Sequence, residues 1–179
     1  MMHKDVEYIL YSEKEIENIV NSLAKQIEKD YNGKEFVMVG LLKGSVVFMA
    51  DLMKKVGLDF SIDFMVASSY GDSTVSSGEV KIKKDLSQPV VGKDILIIED
   101  IIDTGNTLSF IAKYLKSKNA NSVKICTLFD KPERRVIDIK PDYIGVTIPD
   151  RFIVGYGLDY DEKYRNLPYV GVLKPSVYS

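Results

Sequence analysis

The chain is poor in cysteine, which limits the covalent cross-links that it can form. Cys126 is the single cysteine among 179 residues, so an internal disulfide is excluded. One thiol fits a reducing compartment. Cys126 lies within the apolar run VKICTLF at residues 123–129, where we interpret it as a small core residue of a strand.

Long apolar runs and an excess of one charge sign are also missing. No uninterrupted run approaches the roughly 18 apolar residues that a membrane-spanning helix requires. The residues after Met1 carry charge at Lys4, Asp5 and Glu7 and do not form the apolar core of a signal peptide. The net charge of -2 gives no general attraction to polyanions. We therefore expect a cytoplasmic protein with neither a nucleic-acid nor a membrane partner.

What is present is the pattern of a single α/β domain over residues 1–179. Hydrophobic residues make up 45% of the chain, enough for one sizeable core. The predicted elements are helices at 12–33, 45–56 and 106–118 and strands at 35–42, 60–66, 94–98 and 122–129. A strand, helix, strand order predicts a doubly wound, mainly parallel sheet flanked by helices.

Two further segments depart from this pattern. The stretch SSYGDSTVSSG at residues 68–78 has little to bury, so we predict a mobile lid loop over about 68–80. After residue 130 the segments are short and rich in Tyr, Pro and Gly, with short strands predicted at 143–148, 152–154 and 169–173. We predict that about 141–175, joined by the N-terminal residues, form a small hood over the sheet.

The stretch ILIIEDIIDTGNT at residues 95–107 contains the strongest functional signal. A buried strand does not normally carry acids such as Glu99 and Asp100 unless a cation or a ligand meets them. Ligands of open α/β sheets bind beyond the carboxyl ends of the strands, where these two acids lie. The simpler alternative is an ordinary acidic loop with a helix N-cap at Asp103 or Thr104.

The small polar turn that follows the acids favours the ligand interpretation. Gly105 lets the backbone approach a ligand closely, and Thr104, Thr107 and the first N–H groups of the next helix can donate to a phosphate. Carboxylates and a phosphate in one site imply Mg²⁺, which binds oxygen ligands of both kinds.

Residues 95–107 also resemble the phosphoribosyl-pyrophosphate motif of type I phosphoribosyltransferases. Four other segments extend the resemblance to the hypoxanthine phosphoribosyltransferases along nearly the whole chain. They are LLKGS at 41–45, SYG at 69–71, DKPERR at 130–135 and PDRFIVGYGLDY at 149–160. The resemblance implies the type I phosphoribosyltransferase fold.

The implied activity is transfer of the phosphoribosyl group from phosphoribosyl pyrophosphate to N9 of hypoxanthine or guanine, a purine salvage reaction that gives IMP or GMP and pyrophosphate. In this interpretation Asp103 handles the purine proton, and Glu99 and Asp100 hold the ribose hydroxyls directly or through hydrated Mg²⁺. Lys131 contacts the 6-oxo group, because a lysine offers only donors. Phe152 stacks on the purine.

The resemblance carries over to three sets of residues. Those for phosphoribosyl pyrophosphate and its phosphates are Lys43, Gly44, Ser69, Tyr70, Asp103, Thr104, Gly105, Asn106, Thr107 and Arg165. Those assigned to the purine pocket are Lys131, Phe152, Ile153 and Asp159, and those for Mg²⁺ are Glu99, Asp100 and Asp159. Ile153 and Val154 are a mild departure from the strand that is usual in the family. Asn106 stands where other members often carry Lys or another small polar residue, and it could change the affinity for the 5′-phosphate.

Two alternatives stay open. Selectivity for xanthine depends on backbone carbonyls and waters at the 2-position that a sequence does not show. A regulator that senses phosphoribosyl pyrophosphate and binds nucleic acid is disfavoured by the net charge of -2 and by the intact base-binding segment. The resemblance further implies a homodimer or a homotetramer.

Overall fold

A computed structural model describes residues 2–69 and 80–178. Its helices are α1 (Glu13–Tyr31), α2 (Val46–Lys55), α3 (Asn106–Ser117) and α4 (Pro175–Tyr178), with a 3₁₀ turn at Pro132–Arg134. Its strands are β1 (Val6–Tyr11), β2 (Phe36–Leu42), β3 (Ser61–Ser69), β4 (Val80–Lys84), β5 (Asp94–Ile102), β6 (Ser122–Asp130), β7 (Tyr143–Thr147), β8 (Ile153–Val154) and β9 (Val170–Leu173).

The predicted lid falls largely outside the described residues, with Tyr70 and the side chain of Ser69. Its two ends are strand residues, since Ser69 at the end of β3 pairs with Val80 at the start of β4.

Six strands form the central sheet in the order β4-β3-β2-β5-β6-β7. All neighbours are parallel except β3 and β4, which are antiparallel. The predicted α/β fold with a mainly parallel sheet is confirmed. One assignment was wrong: β7, which we placed in the hood, pairs with β6 at the edge of the central sheet.

Helices cover both faces of this sheet, and β5 shows why. Leu96 and Ile98 belong to the core cluster that includes residues of α1 and α2, whereas Ile95 and Ile97 belong to the cluster that includes residues of α3. Successive side chains of a strand point to opposite faces, so a strand covered on both sides is apolar throughout. Each fully buried side chain of this kind contributes about 1.5–3 kcal/mol.

The helix α1 begins where its sequence predicts. Ser12 is the N-cap, and its side chain and that of Glu15 form a reciprocal capping box. Such a cap satisfies N–H groups that the first turn leaves unpaired. No helix among the residues that the structure describes is long and apolar enough to cross a membrane.

A second, smaller sheet lies beside the central one and contains β1, β9 and β8 in that order. Its strands are antiparallel, with Val6 opposite Leu173 and Ile153 opposite Val172. The sheet encloses its own small apolar cluster, which includes Val6, Val154 and Leu173. It therefore joins the N-terminal residues to the segment that follows the central sheet.

Candidate active site

A cavity of about 730 Å³ opens where β2, β5 and β6 end. Thirteen of the residues predicted for the site line it: Lys43, Gly44, Glu99, Asp100, Asp103, Thr104, Gly105, Thr107, Lys131, Phe152, Ile153, Asp159 and Arg165. Asn106 is the first residue of α3 and is not part of this lining. Residues far apart in sequence thus meet in one cavity.

The two acids of β5 lie within the strand, because β5 continues to Ile102 and does not end at Ile98 as predicted. Asp100 is buried, and the backbone N–H of Ile101 donates to its carboxylate over 2.8 Å. Burial, and after it the charge of Asp100, raises the pKa of Glu99 well above its usual range. Burial also raises the pKa of Asp100, against the hydrogen bonds that lower it. These acids are therefore costly to ionise in the free protein.

The turn after β2 packs directly against Asp100. A Cβ atom at Gly44 would collide with the carboxylate of Asp100, so a larger residue there would have to displace that carboxylate. The peptide bond between Leu42 and Lys43 is cis. On its other side the turn meets Gly157, which has φ +99° and leaves no room for a Cβ atom beside the carbonyl oxygen of Gly44.

Lys43 and Arg165 bring positive charge to this part of the cavity. The ammonium group of Lys43 lies 2.7 Å from a carboxylate oxygen of Glu162. The guanidinium of Arg165 lies 2.9 Å from Asp159 and 3.4 Å from Glu162, and it donates to the carbonyl of Gly157 over 2.7 Å. Both cations are thus held by carboxylates that an anionic ligand can replace.

The turn between β5 and α3 presents backbone donors to the cavity. Gly105 is the N-cap of α3 and has φ +85°, a left-handed conformation that favours glycine. Among the described residues no side chain of the N-cap residue closes this terminus, and Oγ1 of Thr104 accepts from the N–H of Asn106 over 3.4 Å. Because the first N–H groups of a helix have no intrahelical acceptor, the start of α3, beside Thr104 and Thr107, can bind an anion.

The opposite wall combines an exposed aromatic ring with a nearly buried cation. Phe152 stacks on Tyr178 at 4.8 Å between ring centroids, and Tyr160 meets it edge-on at 5.4 Å. Lys131 directly follows β6, and its side chain is only 9% exposed. An aromatic face and a fixed donor can together hold a flat heterocycle that carries a carbonyl group.

Comparison with known proteins agrees with this arrangement. A model of the phosphoribosyl transferase domain matches residues 9–161. The hypoxanthine-guanine phosphoribosyltransferase of Streptococcus thermophilus (strain CNRZ 1066) is 55% identical over 179 residues, which is 100% of this chain and 99% of that protein. That of Staphylococcus aureus (strain Mu50 / ATCC 700699) is 55% identical over 99% of each chain.

A solved structure is equally similar. The crystal structure of a hypoxanthine phosphoribosyltransferase from Staphylococcus aureus aligns with a TM-score of 0.96 and 55% identity, over 99% of this chain and 97% of that one. The chain belongs to the hypoxanthine-guanine phosphoribosyltransferase family. The resemblance found in residues 95–107 and in the four other segments is thereby confirmed at the level of the family.

Within this phosphoribosyltransferase the sequence analysis missed two charged residues of the cavity, Arg134 and Asp150. Arg134 pairs with Asp103 at 3.2 Å, and Asp150 lies 3.5 Å from the ammonium of Lys131. Both residues stand inside segments that carry the family resemblance, DKPERR and PDRFIVGYGLDY. Their charge and their position within these binding motifs were the signals in the sequence that could have identified them as site residues.

The donor set of this phosphoribosyltransferase fits Mg²⁺ that is shared with a substrate. Within residues 2–69 and 80–178 no three His, Cys, Asp or Glu side chains are close enough to hold a metal ion alone. Mg²⁺ typically takes one or two carboxylates and completes its shell with waters and phosphate oxygens. Glu99 and Asp100 offer such a pair, whereas Asp159 is already engaged by Arg165.

Proposed function

We propose that the protein is a purine salvage enzyme that transfers the phosphoribosyl group of phosphoribosyl pyrophosphate to N9 of hypoxanthine or guanine. One observation carries the proposal: the acids of β5, the cations Lys43 and Arg165, the turn before α3 and the exposed ring of Phe152 share a single cavity of about 730 Å³. In the reaction N9 bonds to C1′ of the ribose while the C1′–O bond to pyrophosphate breaks. The products are IMP or GMP and pyrophosphate.

The phosphates are bound by cations and backbone donors at two places. The N–H groups at the start of α3, with Thr104 and Thr107, hold the 5′-phosphate. Lys43 and Arg165 exchange their carboxylate partners for pyrophosphate oxygens and stabilise the charge that develops on the leaving group.

The carboxylates act on the ribose and on the base. Glu99 and Asp100 hold the ribose hydroxyls next to the positive charge that develops at C1′, and Asp103 accepts the proton that the purine loses. Glu99 and Asp100 would hold one Mg²⁺, and Asp159 would hold a second once Arg165 turns to the pyrophosphate; bound there, the ions would neutralise charge on the pyrophosphate. Lys131 donates to the 6-oxo group, and Phe152 stacks on the ring.

The remaining expectations concern surroundings and assembly. We propose a cytoplasmic location and a homodimer or a homotetramer, as the family resemblance implies. Light scattering coupled to size-exclusion chromatography measures the assembly directly. A monomer at micromolar concentration would contradict this part of the proposal.

The test is an assay with phosphoribosyl pyrophosphate, Mg²⁺ and each of hypoxanthine, guanine, xanthine and adenine. We expect rapid nucleotide formation from the first two bases and its loss on addition of a chelator. Faster turnover of xanthine than of hypoxanthine or guanine would show that the substrate assignment is wrong and that xanthine is the preferred base. Binding of phosphoribosyl pyrophosphate without turnover of any base would overturn the enzymatic proposal and favour a sensor.

A further inference from the structure

Four charged side chains of alternating sign follow one another along the cavity. The ammonium of Lys131 lies 3.5 Å from Oδ1 of Asp150, and Oδ2 of Asp150 lies 3.8 Å from the guanidinium of Arg134. The Nε–H of Arg134 donates to Oδ1 of Asp103 over 3.2 Å. All four residues line the cavity. The series links the residue assigned to the 6-oxo group with the residue assigned to the purine proton.

Burial differs sharply along the series. The side chain of Lys131 is 9% exposed, so its charge needs a partner close by. Asp150 is 44% exposed and is the carboxylate that pairs with Lys131 among the described residues. Arg134, at 51%, is half exposed. The partly exposed Asp150 thus supplies the negative charge that the buried Lys131 needs.

The four residues come from three separate connections at the ends of the strands. Asp103 follows β5, Lys131 and Arg134 follow β6, and Asp150 lies between β7 and β8. Ion pairs with exposed members contribute little to the stability of a fold. Removal of Asp150 should therefore leave the sheet intact, with its cost confined to the buried charge of Lys131, which loses its partner.

We propose that Asp150 is a positioning residue for the purine: it fixes the ammonium of Lys131 toward the 6-oxo group and links it, through Arg134, to Asp103. The inference rests on the proposed function, in which Lys131 and Asp103 contact the base. A lysine side chain has a flexible four-carbon stem with several rotatable bonds. Its ammonium group can therefore recognise a substrate specifically only when a neighbouring residue restricts its position. Asp150 supplies that restriction.

The test compares Asp150→Asn with Glu133→Gln in steady-state kinetics. Both changes remove one negative charge with little change of shape, and Glu133 is an exposed residue of the adjacent 3₁₀ turn that does not line the cavity. We expect Asp150→Asn to raise the KM for hypoxanthine about tenfold, the value of one charge-assisted hydrogen bond. The KM for phosphoribosyl pyrophosphate should stay unchanged, and Glu133→Gln should match the wild type in both constants.

Two outcomes would overturn the inference alone. One is normal wild-type turnover with identical constants for Asp150→Asn and Glu133→Gln. The other is an equal rise of both KM values together with a large loss of melting temperature, which would assign Asp150 a structural role. Absence of IMP formation by the wild type would instead overturn the proposed function, and the inference with it.

A double-mutant cycle tests the link through Arg134. If Asp150 and Arg134 act in one series, Arg134→Gln should raise the KM for hypoxanthine by itself and add little in the Asp150→Asn background. Strictly additive effects would contradict the link. Partial recovery of the KM by Asp150→Glu would support positioning by a carboxylate, and no recovery together with additivity would count against it.

Discussion

Glu99 and Asp100 lie beside each other in a buried strand, whereas Asp103 and Asp150, which line the same cavity, each pair with a cation. Burial raises the pKa of both acids, and the charge of Asp100 raises that of Glu99 further. The second pair is neutralised in the free protein by Arg134 and Lys131. The cavity therefore contains two acids without a cationic partner in an ion pair, Glu99 and Asp100, and two acids that are already paired with cations of the protein, Asp103 and Asp150, among the described residues.

The largest effect on activity should follow from Asp103→Asn, which removes the charge of an acid that is paired with a cation. If Asp103 is the proton acceptor, its ion pair with Arg134 is secondary, and kcat/KM should fall about 100- to 10,000-fold. Kinetics across pH with hypoxanthine measure the effect, with the exposed Asp138→Asn as the control. Near wild-type turnover with an unchanged pH profile would show that Asp103 is not the proton acceptor and serves only in its ion pair with Arg134.

The next largest effect should follow from Lys43→Gln. If Lys43 exchanges Glu162 for a pyrophosphate oxygen, as proposed, loss of its charge should raise the KM for phosphoribosyl pyrophosphate about tenfold or more. The KM for hypoxanthine should change little, and the exposed Lys140→Gln should behave as the wild type. An equal rise of both KM values would argue against a separate pyrophosphate site.

A smaller effect, on stability, should follow from Glu99→Gln. The raised pKa of Glu99 means that the folded protein binds a proton more tightly than the unfolded chain, so stability falls as pH rises from the ordinary pKa of a glutamate through the raised one. Above that window the variant should be more stable than the wild type by about 0.5–2 kcal/mol, although less active.

Denaturant unfolding without Mg²⁺, at several pH values, measures this difference. The advantage of Glu99→Gln should shrink at low pH, where the wild-type glutamate is protonated. Glu13→Gln, an exposed change in the first turn of α1, is the control and should give no such gain. A variant that is less stable than the wild type at neutral pH would be the contrary result.

The smallest effect should follow from Glu162→Gln. Glu162 is exposed and pairs with Lys43 and Arg165. If the substrate must displace it, as proposed, the variant should have a KM for phosphoribosyl pyrophosphate about two- to threefold lower, as expected for an exposed ion pair. The change should fade at high salt. The exposed Asp161→Asn pairs only with Lys163 among the described residues and is the matched control. A higher KM would show that Glu162 assists binding.

The parts of the site that local structure alone predicted are contiguous in the chain, whereas distant residues such as Lys43, Lys131 and Phe152 were predicted through the family resemblance. Glu99, Asp100, Asp103 and Gly105 stand within one strand and one turn, so their common location follows from local structure. Arg134 and Asp150 meet only because β6 and β7 are neighbours, and the sequence does not state which loops come together. Their pairing therefore required the structure.

The same reasoning explains the errors in the fold. β2 was predicted because it is apolar throughout, and β3 because its apolar residues alternate. In contrast, β1 and β4 are edge strands with few buried residues and give no clear apolar pattern. The segment of β7 was predicted as a strand, but its pairing with β6 was not. Pairing is decided by the packing of whole elements, which a short stretch does not specify.

The contact between Gly44 and Gly157 joins the turn after β2 to the segment that follows β8, backbone against backbone. At Gly157 the obstacle to a Cβ atom is the backbone carbonyl of Gly44, so no second substitution elsewhere can make room for a larger residue there. At Gly44 the obstacle is the carboxylate of Asp100, a side chain that a companion change can shorten. In a saturation mutagenesis library Gly157 should therefore accept glycine alone, without rescue by any companion change, and divergence of the sequence is closed at that position.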